Sequence, residues 1–86
     1  MILSAALIID DIEYDYLTET TLYVVKYYGN AESVVVPETV EGLTVTEIGE
    51  SAFEGNITLV SIDLPDTIAI IGKRAFAGCT SLQTMN

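Results

Sequence analysis

The sequence predicts an α/β domain that is mainly β, folded as a short right-handed solenoid with single helical turns and an N-terminal β-hairpin cap. Three observations predict it. Half of the residues are hydrophobic, and valine, isoleucine, threonine and tyrosine, which favour strands, are abundant. One segment occurs twice, and repeats of this period are typical of stacked coils. The chain before the repeat alternates polar and apolar residues, as strands do.

The length of 86 residues limits the chain to one small domain. A chain of this size buries only about 60–65% of its unfolded surface, so its stability margin is small. Within this domain we predict two parts. Residues 1–32 form the hairpin cap, and residues 33–86 form about two repeats, which we expect to belong to a longer array.

The cap is predicted from two alternating stretches, "IEYDYL" and "TLYVVKYYG", which are joined by "TET". In the first stretch apolar and acidic side chains occupy opposite faces of a strand: Ile12, Tyr14 and Tyr16 on one, Asp11, Glu13 and Asp15 on the other. Two such stretches with a short connection indicate a β-hairpin. We expect the hairpin to shield the edge of the first repeat strand, since repeat arrays need such caps.

The first nine residues, "MILSAALII", have two interpretations. They resemble the apolar core of a signal peptide, but no basic residue precedes them and Asp10 and Asp11 follow at once. A cleaved leader is therefore disfavoured. We expect a first strand, or the start of a domain taken from a longer protein.

The repeat becomes visible when residues 44–63 are placed over residues 67–86, an offset of 23. Seven of the 20 positions are identical. A second similarity places residues 33–40 over residues 61–68, an offset of 28, and a loop at "EGLTV" accounts for the five extra residues. One such unit cannot bury its hydrophobic side alone, whereas a stacked copy can.

Each repeat has the same predicted local structure. A short strand with alternate inward residues ends at Pro37 or Pro65, because proline lacks the N–H that a ladder requires. "ESAF" and "KRAF" then have the length of one helical turn, closed by a left-handed glycine. We expect Phe53 and Phe76 to occupy equivalent positions in the interior of two stacked coils.

The residues from Ile71 to Leu82, "IGKRAFAGCTSL", carry a family resemblance, and Ile48 to Leu59 is a divergent copy with Asn56 in the place of Cys79. With the preceding "DLPDTI" they resemble the BspA-type leucine-rich repeats, a bacterial and protist class. The resemblance implies protein recognition or adhesion, often at cell surfaces, without catalysis. It names no ligand and no cofactor. The alternative is a purely structural capping segment of a larger leucine-rich-repeat protein.

Catalytic and metal chemistry find little support in the residue types. The chain has no histidine, which removes histidine-based nucleophiles and zinc sites. The acidic residues near Asp11 lack the glycine and closing glutamate of a calcium loop. Cys79 replaces Asn56, a position that faces inward in leucine-rich repeats, so we expect a structural thiol that bonds to the backbone. We therefore predict a protein that is not an enzyme and binds no cofactor.

The charge restricts the partners. The net charge is −10, and eleven of the thirteen acidic residues precede residue 55. Such a surface repels nucleic acids and anionic membrane surfaces. A soluble surface explains the acidity most simply, and a basic partner is the alternative. Stacking at the offset of 23 also predicts that Glu50 and Lys73 form an ion pair.

A functional surface, if the chain has one, is predicted on the outward side chains of the repeat strands and on the hairpin tyrosines, which are enriched at interfaces. The alternative for the tyrosines is packing between cap and repeat. The strand end at "LQTMN" leaves an open repeat edge, for which we expect self-association. The candidates are Val35, Val60, Ser61, Asp63, Gln83, Thr84, Tyr23, Tyr27 and Tyr28.

Overall fold

The structure is a computed structural model that describes residues 7–86, and within this range it contains nine strands and no helix. Most of "MILSAALII" therefore lies outside the described residues, but its last three residues form the predicted strand. The strands are β1 (Leu7–Ile9), β2 (Ile12–Tyr16), β3 (Thr21–Tyr27), β4 (Ser33–Val35), β5 (Thr39–Val40), β6 (Leu43–Ile48), β7 (Ser61–Asp63), β8 (Ile70–Ile71) and β9 (Thr84–Met85).

The strands form two sheets. The larger sheet has the order β1-β2-β3-β6-β5, and β8 also pairs with β6. The smaller sheet has the order β4-β7-β9, and all of its pairs are parallel. Parallel pairing of β3 with β6 and of β6 with β8 continues through the larger sheet. The mainly β architecture is thereby confirmed, and the parallel pairings are consistent with the predicted solenoid.

The strand register confirms the repeat offsets. Ser61 pairs with Thr84, and Glu47 pairs with Ile70, both at an offset of 23. Ser33 pairs with Ser61, the offset of 28 that the second similarity predicts. Of the five residues "EGLTV" that were expected to form a loop, only Glu41 and Gly42 form the tight connection between β5 and β6, both with a positive φ; the other three begin β6. Consecutive coils therefore lie on one another in register.

The two alternating stretches before the repeat form antiparallel partners, β2 and β3, joined by residues 17–20. β3 also pairs parallel with β6, with Leu22 opposite Val45. The second strand of the hairpin thus lies in the same ladder as the repeat strands. The division of the chain at residue 32, and the role of the hairpin as a cap, remain predictions.

A column of aromatic rings runs through the interior. Phe53 is 1% exposed. Its ring stacks on Phe76 with a centroid distance of 5.1 Å and on Tyr27 with 5.3 Å. Phe53 and Phe76 therefore occupy the equivalent positions that the repeat predicts. Tyr27 adds a third ring from the hairpin, so the hairpin and both coils share one hydrophobic core.

The predicted helical turns at "ESAF" and "KRAF" are wrong, since both segments are non-helical turns. Ser51 and Arg74, at equivalent positions, have φ values of 59° and 60°. A left-handed residue breaks the run of right-handed residues that a helix requires. The closing glycines, Gly55 and Gly78, do have the predicted positive φ, 78° and 73°.

Stacking explains why turns replace the helix. The N–H groups of Ser51, Phe53 and Gly55 donate to carbonyl oxygens of the next coil, at 2.7–3.0 Å. The N–H groups between them donate to carbonyl oxygens three residues earlier in the same coil. A helix would direct all of these donors along its own axis. The alternating pattern satisfies every second donor through the neighbouring coil.

Alkaline pH is expected to destabilise the fold through Tyr14 in β2, which is 1% exposed. Burial, with the charge of Asp10, raises the pKa of Tyr14 to about 12, so the folded state disfavours the phenolate. Stability is then complete below the unfolded pKa of about 10 and falls by about 2–3 kcal/mol as the pH rises to 12. Denaturant titrations between these pH values test this. Tyr14→Phe removes the loss, whereas Tyr16→Phe in the same strand retains it; equal losses in both variants contradict the prediction.

Candidate interaction surface

The parallel sheet β4-β7-β9 forms the candidate surface, because its strands alternate between core and solvent. Val34 and Ile62 are buried beneath it, whereas Val35 is 69% exposed and Asp63 is also exposed. Successive side chains of a strand point to opposite faces. In-register stacking therefore aligns the outward residues of different coils into rows.

One row contains Ser33, Ser61 and Thr84, which pair across the three strands. The Ser33 and Ser61 hydroxyl oxygens are 2.9 Å apart, a hydrogen bond between coils. A second row begins with Val35 opposite Asp63. Of the candidates, the structure therefore brings Val35, Ser61, Asp63 and Thr84 together on one sheet.

Val60 and Gln83 lie immediately before these strands at equivalent positions. The Gln83 N–H donates to the Val60 carbonyl oxygen at 2.8 Å, and the Val60 N–H donates to Glu32 at 2.7 Å. Gln83 is exposed and Val60 is half-buried. Both extend the surface at the beginning of the strands.

The three tyrosine candidates lie in the larger sheet or directly after it: Tyr23 and Tyr27 are in β3, and Tyr28 follows β3. Tyr27 is only 8% exposed and stacks on Phe53, the packing between hairpin and repeat that the sequence gives as its alternative role. Tyr23 is half-buried, in β3. Tyr28 is 55% exposed, and its hydroxyl donates to the Glu13 carboxylate at 2.6 Å.

Val35 lies where three clefts meet, with volumes of about 410, 280 and 390 Å³. The first two separate β4 from the turn between β1 and β2, and the third separates it from the segment after β7. The sequence analysis identified Val35, Asp63 and Tyr27 among the residues that line these clefts but missed most of the others. They include Asp10, Asp11, Ile12, Pro37, Glu38, Glu41 and Asp66. Most follow or precede the strands, so the strand pattern gave no signal for them.

The charges near Val35 are all negative. Six carboxyl groups line the three clefts: Asp10, Asp11, Glu38, Glu41, Asp63 and Asp66. The three basic residues of the chain lie elsewhere within residues 7–86, since none lines these clefts. The surface around Val35 therefore combines an exposed apolar side chain with a strongly negative potential.

The predicted ion pair between Glu50 and Lys73 is wrong, because the turn geometry brings a different pair together. Arg74 and Glu54 form the salt bridge, and the Arg74 Nε donates to Glu54 at 3.1 Å. The Arg74 guanidinium holds the pKa of the Glu54 carboxyl below its usual value. At this exposed site solvent screens the two charges, so the pair contributes little to stability.

Asn56 and Cys79 have the inward role that the sequence predicts for them. The Asn56 side-chain oxygen accepts from the Leu59 N–H at 3.0 Å, and the Cys79 thiol donates to the Phe53 carbonyl oxygen at 3.0 Å. Burial raises the pKa of the Cys79 thiol, which lowers its thiolate fraction and its reactivity. Within residues 7–86, no three metal-ligating side chains of the His, Cys, Asp and Glu types group together.

The last coil presents exposed apolar residues at its strands. Ile70 and Ile71 of β8 are 55% and 48% exposed, and Met85 of β9 is 43% exposed. A cavity of about 630 Å³ lies between these strands. Self-association through this edge remains a prediction. No helix in the described part of the chain is long and apolar enough to cross a lipid bilayer.

Comparison with known proteins supports the repeat architecture. The family model for the BspA type leucine rich repeat region, which describes six copies, matches residues 18–86. A search of curated protein sequences finds no match. The matched range includes β3, in agreement with the pairing of that strand with β6.

Solved structures of leucine-rich-repeat proteins are similar to this chain. A leucine rich repeat protein from Treponema pallidum is 35% identical with a TM-score of 0.84, over 88% of this chain and 36% of its own. A leucine rich cell surface protein from Faecalibacterium prausnitzii is 30% identical with a TM-score of 0.82, over 95% and 23%. The chain thus spans about a third or less of these two relatives. On the family match and the shared fold, it belongs to the BspA-type leucine-rich repeat family.

Proposed function

We propose that the chain is a non-catalytic protein-interaction or adhesion module, and that the outward face of β4, β7 and β9 is its binding surface. The observation that carries the proposal is the in-register sheet whose outward residues include Val35, 69% exposed, and Asp63. Repeat proteins use such aligned outward side chains as extended binding surfaces. Membership of the BspA-type family also supports a binding role.

A location at the cell surface forms part of this proposal. One similar structure is described as a leucine rich cell surface protein. Antibody labelling of intact source cells tests the location, since a protein confined to the cell interior is labelled only after permeabilisation.

Selection from a displayed library of random peptides tests the binding function without knowledge of the natural partner. We expect clones that bind the wild-type chain saturably and bind Asp63→Lys at least about tenfold more weakly, because Asp63 lies within the proposed surface. Glu19→Lys is the matched control. It makes the same change in charge at the exposed connection between β2 and β3, and we expect it to leave binding unchanged.

The alternative is a purely structural capping segment of a larger leucine-rich-repeat protein. The chain spans only 36% and 23% of two relatives, and β3 pairs in parallel with β6, a strand of the repeat region. This alternative predicts that the selection yields no clone that distinguishes Asp63→Lys from Glu19→Lys. Such a result contradicts the binding module.

A further inference from the structure

We infer that the groove beside β4 binds an extended basic peptide segment of a partner protein, which pairs with the free edge of β4 and places cationic side chains against the acids around Val35. This inference rests on the proposed binding function and specifies the partner class and the manner of binding. Three independent features of the described residues support it: a free strand edge, a preformed groove and complementary charge.

The free edge follows from the sheet order, in which β4 is the outermost strand and β7 is its only strand partner within residues 7–86. The Val36 N–H donates to the Asp63 carbonyl oxygen at 2.9 Å, and the Glu32 carbonyl oxygen accepts from Ser61 at 3.0 Å. Backbone groups of alternate strand residues point to opposite edges. The N–H and C=O groups of Ser33 and Val35 therefore point away from β7, toward the groove, where they are available to another strand.

The groove is formed by this edge and the turn between β1 and β2. Both clefts on this side, of about 410 and 280 Å³, are lined by Asp10, Ile12 and Val35. The two-residue turn has positive φ at Asp10 and Asp11, 53° and 66°, as the tight turns of β-hairpins require. The Tyr28 N–H donates to the Asp11 carbonyl oxygen at 2.8 Å, which ties the turn to the end of β3. The wall opposite β4 is thus preorganised.

Strand addition explains how a peptide fits this groove. Main-chain hydrogen bonds to a sheet edge supply affinity, and pockets for alternate side chains supply specificity. β4 spans three residues, roughly 10 Å, so about three residues of the peptide pair with it and the rest extend along the groove. An apolar side chain of the peptide is expected to contact Val35, Ile12 and Pro37, which line the clefts.

Charge selects a basic segment as the occupant. Asp10, Asp11 and Glu41 line the groove, and no basic side chain of residues 7–86 lines it. Lysine or arginine in the peptide neutralises these carboxylates, whereas a second copy of the chain adds like charge, since the net charge is −10. A partner protein with an extended basic segment therefore fits better than self-pairing at this edge.

The test uses a labelled peptide of about eight residues that alternates lysine and valine, titrated with the whole chain and followed by fluorescence anisotropy. We expect saturable binding that weakens with added salt, because exposed charges are screened beyond about 8 Å at physiological ionic strength. The fully N-methylated peptide keeps every side chain but cannot donate backbone hydrogen bonds. We expect its affinity to be lower by about tenfold or more. Equal affinity of the two peptides overturns strand addition.

Two double variants separate the groove from the general charge of the protein. Asp10→Asn with Asp11→Asn removes two groove charges and retains residues that tight turns accept. Glu19→Gln with Glu50→Gln removes two exposed charges elsewhere. We expect the first pair to weaken peptide binding by about tenfold and the second by less than about threefold. Similar losses in both overturn the groove as the site.

The remaining outcomes separate this inference from the proposed function. If selected library peptides depend on Asp63 but not on Asp10 and Asp11, the binding module stands and the basic-peptide groove is wrong. Light scattering of the chain alone across a dilution series tests for self-association. A dimer that Val35→Lys dissociates, and that excludes the basic peptide, assigns the edge to a second copy and likewise overturns the inference.

Discussion

Phe53→Ala is expected to destabilise the fold by about 3–5 kcal/mol, the cost of removing a buried aromatic side chain and leaving a cavity. Phe53 is 1% exposed and is the middle ring of the column, in contact with Tyr27 on one side and Phe76 on the other. Its removal interrupts the ring contacts that connect the hairpin to the last coil. Since a domain of this size lies at the lower end of the usual range of about 5–15 kcal/mol of stability, we expect a substantial fraction of unfolded chains even without denaturant.

Urea unfolding followed by circular dichroism measures this loss, and Phe76→Ala is the matched control. Phe76 has the same register one coil later, but it is half-buried and its ring contacts only Phe53 within the described aromatic pairs. We expect its replacement to cost about half as much, since less apolar area is lost. If Phe76→Ala proves the more costly of the two, the column does not hold the parts of the molecule together as the structure indicates.

Gly49→Ala is expected to cost about 3 kcal/mol, which is at the upper end for overpacking, because a backbone oxygen lies nearest to the added group and cannot rotate away as a side chain can. A Cβ atom at Gly49 would lie 2.5 Å from the Val24 carbonyl oxygen. That oxygen also accepts the Gly49 N–H at 2.8 Å, so the strand cannot retreat without breaking the bond. Gly72, one coil later, approaches the backbone of Gly49 in the same way.

Gly42→Ala separates steric overlap from conformational strain. Gly42 has a φ of 82°, but nothing lies within 4 Å of a Cβ atom there. We expect a cost of about 1–2 kcal/mol from the left-handed backbone alone. Thermal or urea unfolding of the two variants compares them. If Gly49→Ala lowers the free energy of unfolding by no more than Gly42→Ala does, the coils can move apart at that point. That result contradicts the close backbone packing described above.

The sequence predicts the fold where side-chain patterns determine it. The repeat offset fixes the pairing of Ser61 with Thr84, and the phenylalanines at 53 and 76 fix the interior column. "ESAF" and "KRAF" are good helix sequences locally, so the sequence alone predicted helical turns there. That prediction was wrong because stacking on the next coil sets the left-handed φ at Ser51. Hydrogen bonds between coils override local preference there.

The candidate surface was predictable only in part. Strand alternation identifies Val35 and Asp63 as outward residues, and the structure places them side by side. The acids at Asp10 and Asp11 are distant in sequence and lie near Val35 only because the turn between β1 and β2 lies beside β4. Tyr27 was a candidate because tyrosines are enriched at interfaces, yet its ring stacks on Phe53 and is only 8% exposed.

The alternating donors of the turn segments give the stack a direction. The N–H groups of Ser51, Phe53 and Gly55 all donate toward the later coil, whose carbonyl oxygens accept them. A coil that follows in any such array must offer acceptors at this spacing, and an inverted coil would present them at the wrong positions. The main-chain hydrogen bonds therefore fix the direction in which one coil stacks on the next, independently of the outward side chains.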